Sequence, residues 1–136
     1  MGTRRKGREA ALQMLYQMDV SGASAEQAIA TFWPALGATR EGEDFANELV
    51  RGVADAGDRI DETIRKVSQH WRLERMARVD RNILRLGTYE LIAMPDVPSR
   101  VTLNEAIELA KKFGDETSPG FVNGVLDRIA SDLAKS

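Results

Sequence analysis

The sequence predicts an all-α fold of about seven helices, and three observations carry that expectation. Apolar residues recur with helical period along almost the whole chain, no segment alternates as a strand does, and Ser, Gly and Pro interrupt the pattern at helix-length intervals. With 136 residues, 43% of them hydrophobic, the chain suits one domain with a real core and is too short for two comfortable ones. The expected organisation is therefore a single domain over residues 1–136, with residues 1–8 as a flexible basic arm.

Ala11, Met14, Leu15 and Met18 share one stripe of a first helix that stops near Ser21-Gly22. Ser24 followed by Gln27 has the form of a capping box, and a short helix is expected to run to about Phe32-Trp33, before Pro34. Residues 35–43 read as loop. Phe45, Leu49, Val50 and Val53 mark the next helix, ending around Gly57; Ile60, Ile64, Val67 and Trp71 mark another, with Asp58 as its expected cap. Residues 72–76 form a connection or single turn. Val79, Ile83, Leu86 and Glu90, with Leu84 and Leu91 beside them, define a central helix from about Ala77 to Met94, apolar over a wide arc. Gly87 within it costs about 1 kcal/mol relative to Ala and marks a close helix crossing.

Pro95 and Pro98 break the chain across Asp96-Val97. Thr102–Glu105 has the pattern of a capping box, and the helix that follows continues through Ile107, Leu109 and Ala110 to Phe113, with Gly114 just past its end. Ser118-Pro119 supplies an N-cap and an N1 proline for a last helix carrying Phe121, Val122, Val125, Leu126, Ile129 and Leu133.

Charge is distributed unevenly. Residues 1–8 carry +4, residues 9–136 carry −6, and the chain as a whole is −2. Attraction for a polyanion is therefore concentrated at one end, where Arg4, Arg5, Lys6 and Arg8 run into the first helix. Four contacts to single-stranded phosphates would give log K a slope of about −2.8 against log salt. Arg8 and Gln13 are placed on the polar face of that helix, and Arg85, off the central apolar stripe, is a further candidate cation. Phe121 admits two readings, a core residue or a base-stacking aromatic beside the free N–H groups of a helix start.

Other chemistry finds little support. Cysteine is absent, which excludes thiol nucleophiles, disulfides and thiolate metal sites. His70 stands alone and reads as structural, Gly120–Gly124 lacks the lysine and preceding strand of a phosphate-binding loop, and no nucleophile is paired with a base. No cofactor is expected. No apolar run approaches the roughly 20 residues of a spanning helix, and the cationic start is not followed by a signal-peptide core. A cytoplasmic protein without membrane attachment is the expectation; Lys6 stands where a myristoylation motif needs Ser or Thr.

Four stretches resemble the NusB family of bacterial transcription antitermination factors: residues 4–11, residues 80–91, Asp96-Val97-Pro98 running into residues 104–114, and residues 121–127. They follow the family's order and spacing, whereas residues 22–70 match only in helical pattern. The resemblance implies two packed three-helix bundles in one NusB-like domain, without enzymatic activity. It implies binding to the boxA element of nascent RNA together with NusE, a small-subunit ribosomal protein, within a processive RNA polymerase complex. It places Arg4, Arg5, Lys6 and Arg8, and Thr117, Ser118 and Phe121, on RNA, and Tyr16 and Asp80 on the protein partner. Many relatives carry a lysine where this chain has Gly120, so one phosphate contact is expected to be missing. The same fold also occurs as a domain of ribosomal RNA cytosine methyltransferases, whose catalytic cysteines have no counterpart here, and a protein-only helical adaptor is the other alternative. Monomer and homodimer both remain open for the free protein.

Overall fold

A computed structural model describes residues 2–37 and 39–135. Among these the chain forms seven α-helices, one short 3₁₀ turn and no strand, and it divides into two compact units, Met1–Asp55 and Ala56–Ser136.

The first unit holds α1 (Thr3–Ser21), α2 (Ala25–Leu36) and α3 (Glu43–Asp55), with α1 packed on both of the others. Ala11, Met14 and Leu15 of α1 and Leu49, Val50 and Val53 of α3 are buried, as their spacing predicts, together with Ala46; Met18 and Phe45 of the same stripes are half-buried. Trp33 is buried too, and its indole N–H donates to Asn47 Oδ1 at 2.9 Å, so the one polar atom of the ring is satisfied in the core. The capping box on α2 forms in both directions: Gln27 N–H donates to Ser24 Oγ at 3.1 Å, and Ser24 N–H donates to Gln27 Oε1 at 2.9 Å.

Two expectations fail in this unit. Pro34 lies inside α2, where its ring faces the preceding turn and forfeits one hydrogen bond, and Gly37, at φ +67°, ends the helix instead. The expected flexible arm is helix: α1 begins at Thr3, with Gly2 as its N-cap, and only Met1 of the arm lies outside the described residues. The reason is a backbone crossing. Gly42, at φ +78°, comes so close to α1 that a Cβ there would lie 2.6 Å from Gly7 N and Thr3 O. Of the expected loop over residues 35–43, Ala38 lies outside the described residues.

The second unit holds α4 (Gly57–Val67), the 3₁₀ turn Leu73–Arg75, α5 (Arg78–Ala93), α6 (Ser99–Phe113) and α7 (Ser118–Ala134). The helix α5 is central, touching α4, α6 and α7, and its wide apolar arc is buried at Ile83, Leu84 and Leu86. A Cβ on Gly87 would lie 2.7 Å from Leu126 Cδ1, which confirms the close crossing, here between α5 and α7.

Several helix starts differ from expectation. Asp58 does not cap α4, whose N-cap is Ala56. The box over Thr102–Glu105 does not form, since α6 already starts behind Pro98, whose carbonyl accepts from Thr102 N–H. Thr102 is buried instead, and its hydroxyl donates to Glu90 Oε1 at 3.4 Å. Trp71, expected on the stripe of α4, lies past the end of that helix and is 62% exposed.

Gly37 and Gly42 share the left-handed conformation, but a Cβ at Gly37 would meet nothing within 4 Å. Gly37→Ala is expected to cost about 1–2 kcal/mol from backbone strain alone, and Gly42→Ala a further 1–3 kcal/mol or so from the crossing. Thermal denaturation of both variants checks this; equal melting points would remove the crossing as a constraint.

Candidate nucleic-acid interface

In the first unit the cations are set by α1. Arg4 and Lys6 are exposed, Arg5 is half-buried, and Gln13 is exposed, donating to Glu9 O at 3.3 Å. The guanidinium of Arg4 lies 4.8 Å from the centre of the Phe45 ring, and that of Arg8 lies 5.4 Å from it. Arg8 is only 4% exposed, which corrects its expected place on the polar face: the Gly7–Gly42 crossing turns this side of α1 inward, over Phe45. Phe45 was expected only as a core residue, yet it fixes the direction of two cations; such contacts are worth about 0.5–2 kcal/mol. The groove beside Arg4 is lined by Arg40 and Phe45 but also by Glu43, Asp44 and Glu48, so it has no uniform charge. Like charges thus gather in the first turn of α1, which carries no acid.

Tyr16, on the next turns of α1, is 39% exposed. In the second unit Asp80 occupies the first turn of α5, only 8% exposed, with its Oδ1 buried and without a hydrogen-bond partner. Arg85 is not a free cation as expected. Its Nε and Nη2 donate to the two carboxylate oxygens of Asp61 at 2.9 and 3.2 Å, clamping α5 to α4 in a bidentate pair.

The start of α7 is organised by Asp115, which the sequence reading missed. Its Oδ1 accepts from Thr117 N–H and Oγ1, both at 2.8 Å, and from Ser118 N–H at 3.2 Å, while its own N–H donates to Ser118 Oγ at 3.0 Å. An Asp two residues ahead of a helix N-cap was the available signal. The cap moves from Ser118 to Thr117, and Ser118 is 1% exposed, so it is a structural residue rather than an RNA-facing one. The N–H groups of Thr117 and Ser118 face a carboxylate. Phe121 is half-buried and meets the Trp71 ring edge-on, with centroids 5.7 Å apart at 74°. No Cβ contact within 4 Å surrounds Gly120 or Gly124, so that side of the helix start is open.

Among the described residues no group of three or more His, Cys, Asp or Glu side chains could hold a metal ion, and no helix is long and apolar enough to cross a membrane. Cations held by an aromatic ring in one unit and an exposed Trp71 ring set against Phe121 in the other define the class: a helical binding protein for polyanions. The comparisons with known proteins sharpen this. The profile describing the NusB family matches residues 5–131. A transcription antitermination protein NusB from Sorangium cellulosum (strain So ce56) is 56% identical over 135 residues, covering 99% of this chain and 96% of that protein. Among solved structures, T. maritima NusB matches with a TM-score of 0.84 at 40% identity, covering 95% of this chain and 91% of that one. A crystal structure of antitermination factors NusB and NusE in complex with dsRNA matches with a TM-score of 0.86 at 29% identity, covering 96% of this chain and 97% of that one. The chain belongs to the NusB family.

The Asp115 carboxyl is held below the usual carboxylate range, chiefly by the Thr117 hydroxyl, then by the Thr117 N–H and by Ser118. The ionised form accepts these bonds, so the cap is present at neutral pH and is lost as pH falls through the depressed folded-state value. In an NMR titration Thr117→Val is expected to move the Asp115 midpoint upward; an unmoved midpoint would assign the depression elsewhere.

Proposed function

We propose that this protein binds the boxA element of nascent RNA together with NusE and joins a processive RNA polymerase complex as a non-catalytic scaffold in the cytoplasm. The observation that carries this reading is the cationic start of α1, where Arg4, Arg5 and Lys6 are held in helical register by the Gly7–Gly42 crossing and the Phe45 ring. A chain with net charge −2 that concentrates cations in one helical turn suits a narrow polyanion better than general electrostatic adsorption. The relatives' name supports the transcriptional setting, and the NusB–NusE structure with dsRNA supports the pairing of partners.

Within this reading Arg4, Arg5 and Lys6 contact phosphates, Gln13 supplies a neutral donor, and Arg8 positions the others through Phe45. Phe121 stacks a base in the second unit, beside Thr117. Arg85, matched by Asp61, and the buried Ser118 serve the fold. Tyr16 offers the protein partner an exposed aromatic, while Asp80, 8% exposed with its Oδ1 shut off from solvent, presents little of its carboxylate to that partner. Phosphate contacts position the strand, and ring and base-edge contacts give sequence preference.

Fluorescence anisotropy with a labelled boxA oligomer and NusE tests this. Arg4→Ala/Arg5→Ala/Lys6→Ala is expected to weaken binding and flatten the log K against log salt slope by about 2, at about 0.7 per single-strand contact, with the melting point lowered by no more than the few degrees that the Arg4–Phe45 contact contributes. An unchanged slope removes the α1 cations from the interface. Gly120→Lys should steepen the slope by about 0.7, since the open space around Gly120 admits the side chain; an unchanged slope would show that this position does not face the strand.

A further inference from the structure

The second unit carries a cationic segment of its own. Residues 65–78 contain Arg65, Lys66, Arg72, Arg75 and Arg78 against the single acid Glu74, a net +4 that equals the charge of residues 1–8. All five cationic residues are exposed, and Glu74 pairs with Arg65 at 3.0 Å. In the middle of this segment Trp71, at 62%, is the most exposed large apolar side chain among the described residues.

Its display is built, not loose. The helix α4 ends at Val67, Ser68 Oγ donates to Ile64 O at 2.7 Å, and Trp71 N–H donates to Ser68 O at 2.8 Å. Ser68 on one side and Leu73 on the other are buried, so the backbone is anchored on both flanks while the indole faces out. The edge contact with Phe121 orients the ring and leaves flat aromatic surface uncovered.

We propose that Trp71 is a nucleobase-stacking residue: its exposed indole face takes an unpaired RNA base, Phe121 holds the indole from the side, and the exposed cations of residues 65–78 hold the phosphates on either side. This rests on the RNA reading above and adds a contact face that lies wholly in the second unit. Stacking on aromatic rings inside a cationic surface is the general chemistry of single-strand binding. The buried core of a protein–protein interface is depleted of charged side chains; here the indole's neighbours in sequence are Gln69, His70 and Arg72, all exposed, in a segment of net +4. The carboxylate of Asp115 accepts from the N–H groups of Thr117 and Ser118 and puts a negative charge at the start of α7, so this end of the helix offers rings rather than a phosphate pocket.

The two tryptophans make the test specific, because Trp33 is buried in the first unit and Trp71 is the exposed one. Binding of a single-stranded RNA oligomer is expected to quench the emission of the wild type and leave that of Trp71→Phe unchanged. In anisotropy measurements with NusE present, Trp71→Ala should bind about 5- to 150-fold more weakly, and Trp71→Phe within a few-fold of wild type. An oligomer with abasic sites should erase the difference between wild type and Trp71→Ala. Wild-type affinity in Trp71→Ala, with unquenched emission in an RNA-bound wild type, overturns the stacking role and leaves the α1 reading intact. If the wild type binds no RNA at low salt with NusE present, the RNA reading itself falls, and this inference with it.

Discussion

Where the cations of α1 point is decided by a contact that contains no charge. Gly7 and Gly42 allow the turn before α3 to lie against the first helix at backbone distance, and Phe45 follows three residues later on the helix that this turn begins. The ring then lies under Arg4 and Arg8, so a glycine pair fixes the geometry of an electrostatic surface. A side chain at either glycine would push α1 off Phe45 and release its first two turns. Packing comes first in this unit, and electrostatics follows from it.

In the second unit the ordering is set by hydrogen bonds. Asp115 collects the donors of Thr117 and Ser118, which seats the first turn of α7 and with it Phe121. Gly114 shares in this arrangement, since a Cβ there would strike Ser118 Oγ. The Arg85–Asp61 pair joins α5 to α4, the helix whose end carries the turn to Trp71. Residues that looked like ligands in the sequence thus hold the framework, and residues that looked like core present the surface.

This exchange explains how much the sequence revealed. Helix number, the central role of α5, the α2 capping box and the Gly87 crossing follow from local pattern, and local pattern is written in neighbouring residues. Arg8, Arg85 and Ser118 were misplaced because their surroundings come from Phe45, Asp61 and Asp115; for Arg8 and Arg85 that partner lies 37 and 24 positions away in the chain. Trp71 was placed on a buried stripe because periodicity does not register where a helix stops; Ser68, whose hydroxyl returns to Ile64 O, marks the end. The expected arm is helical for the same kind of reason, since nothing adjacent to residues 3–8 announces the Gly42 turn.

The first turn of α1 holds Arg4, Arg5 and Lys6 at the electropositive pole of a helix, and no acid stands in that turn itself. The field of the helix end therefore adds to that of the three side chains, and an incoming chain of phosphates would be drawn to both. The earliest residues of the helix should then fray least when the strand is in place. Binding and local order would rise and fall together at this end of the molecule, which makes the amino-terminal turn a gauge of occupancy as well as a point of contact.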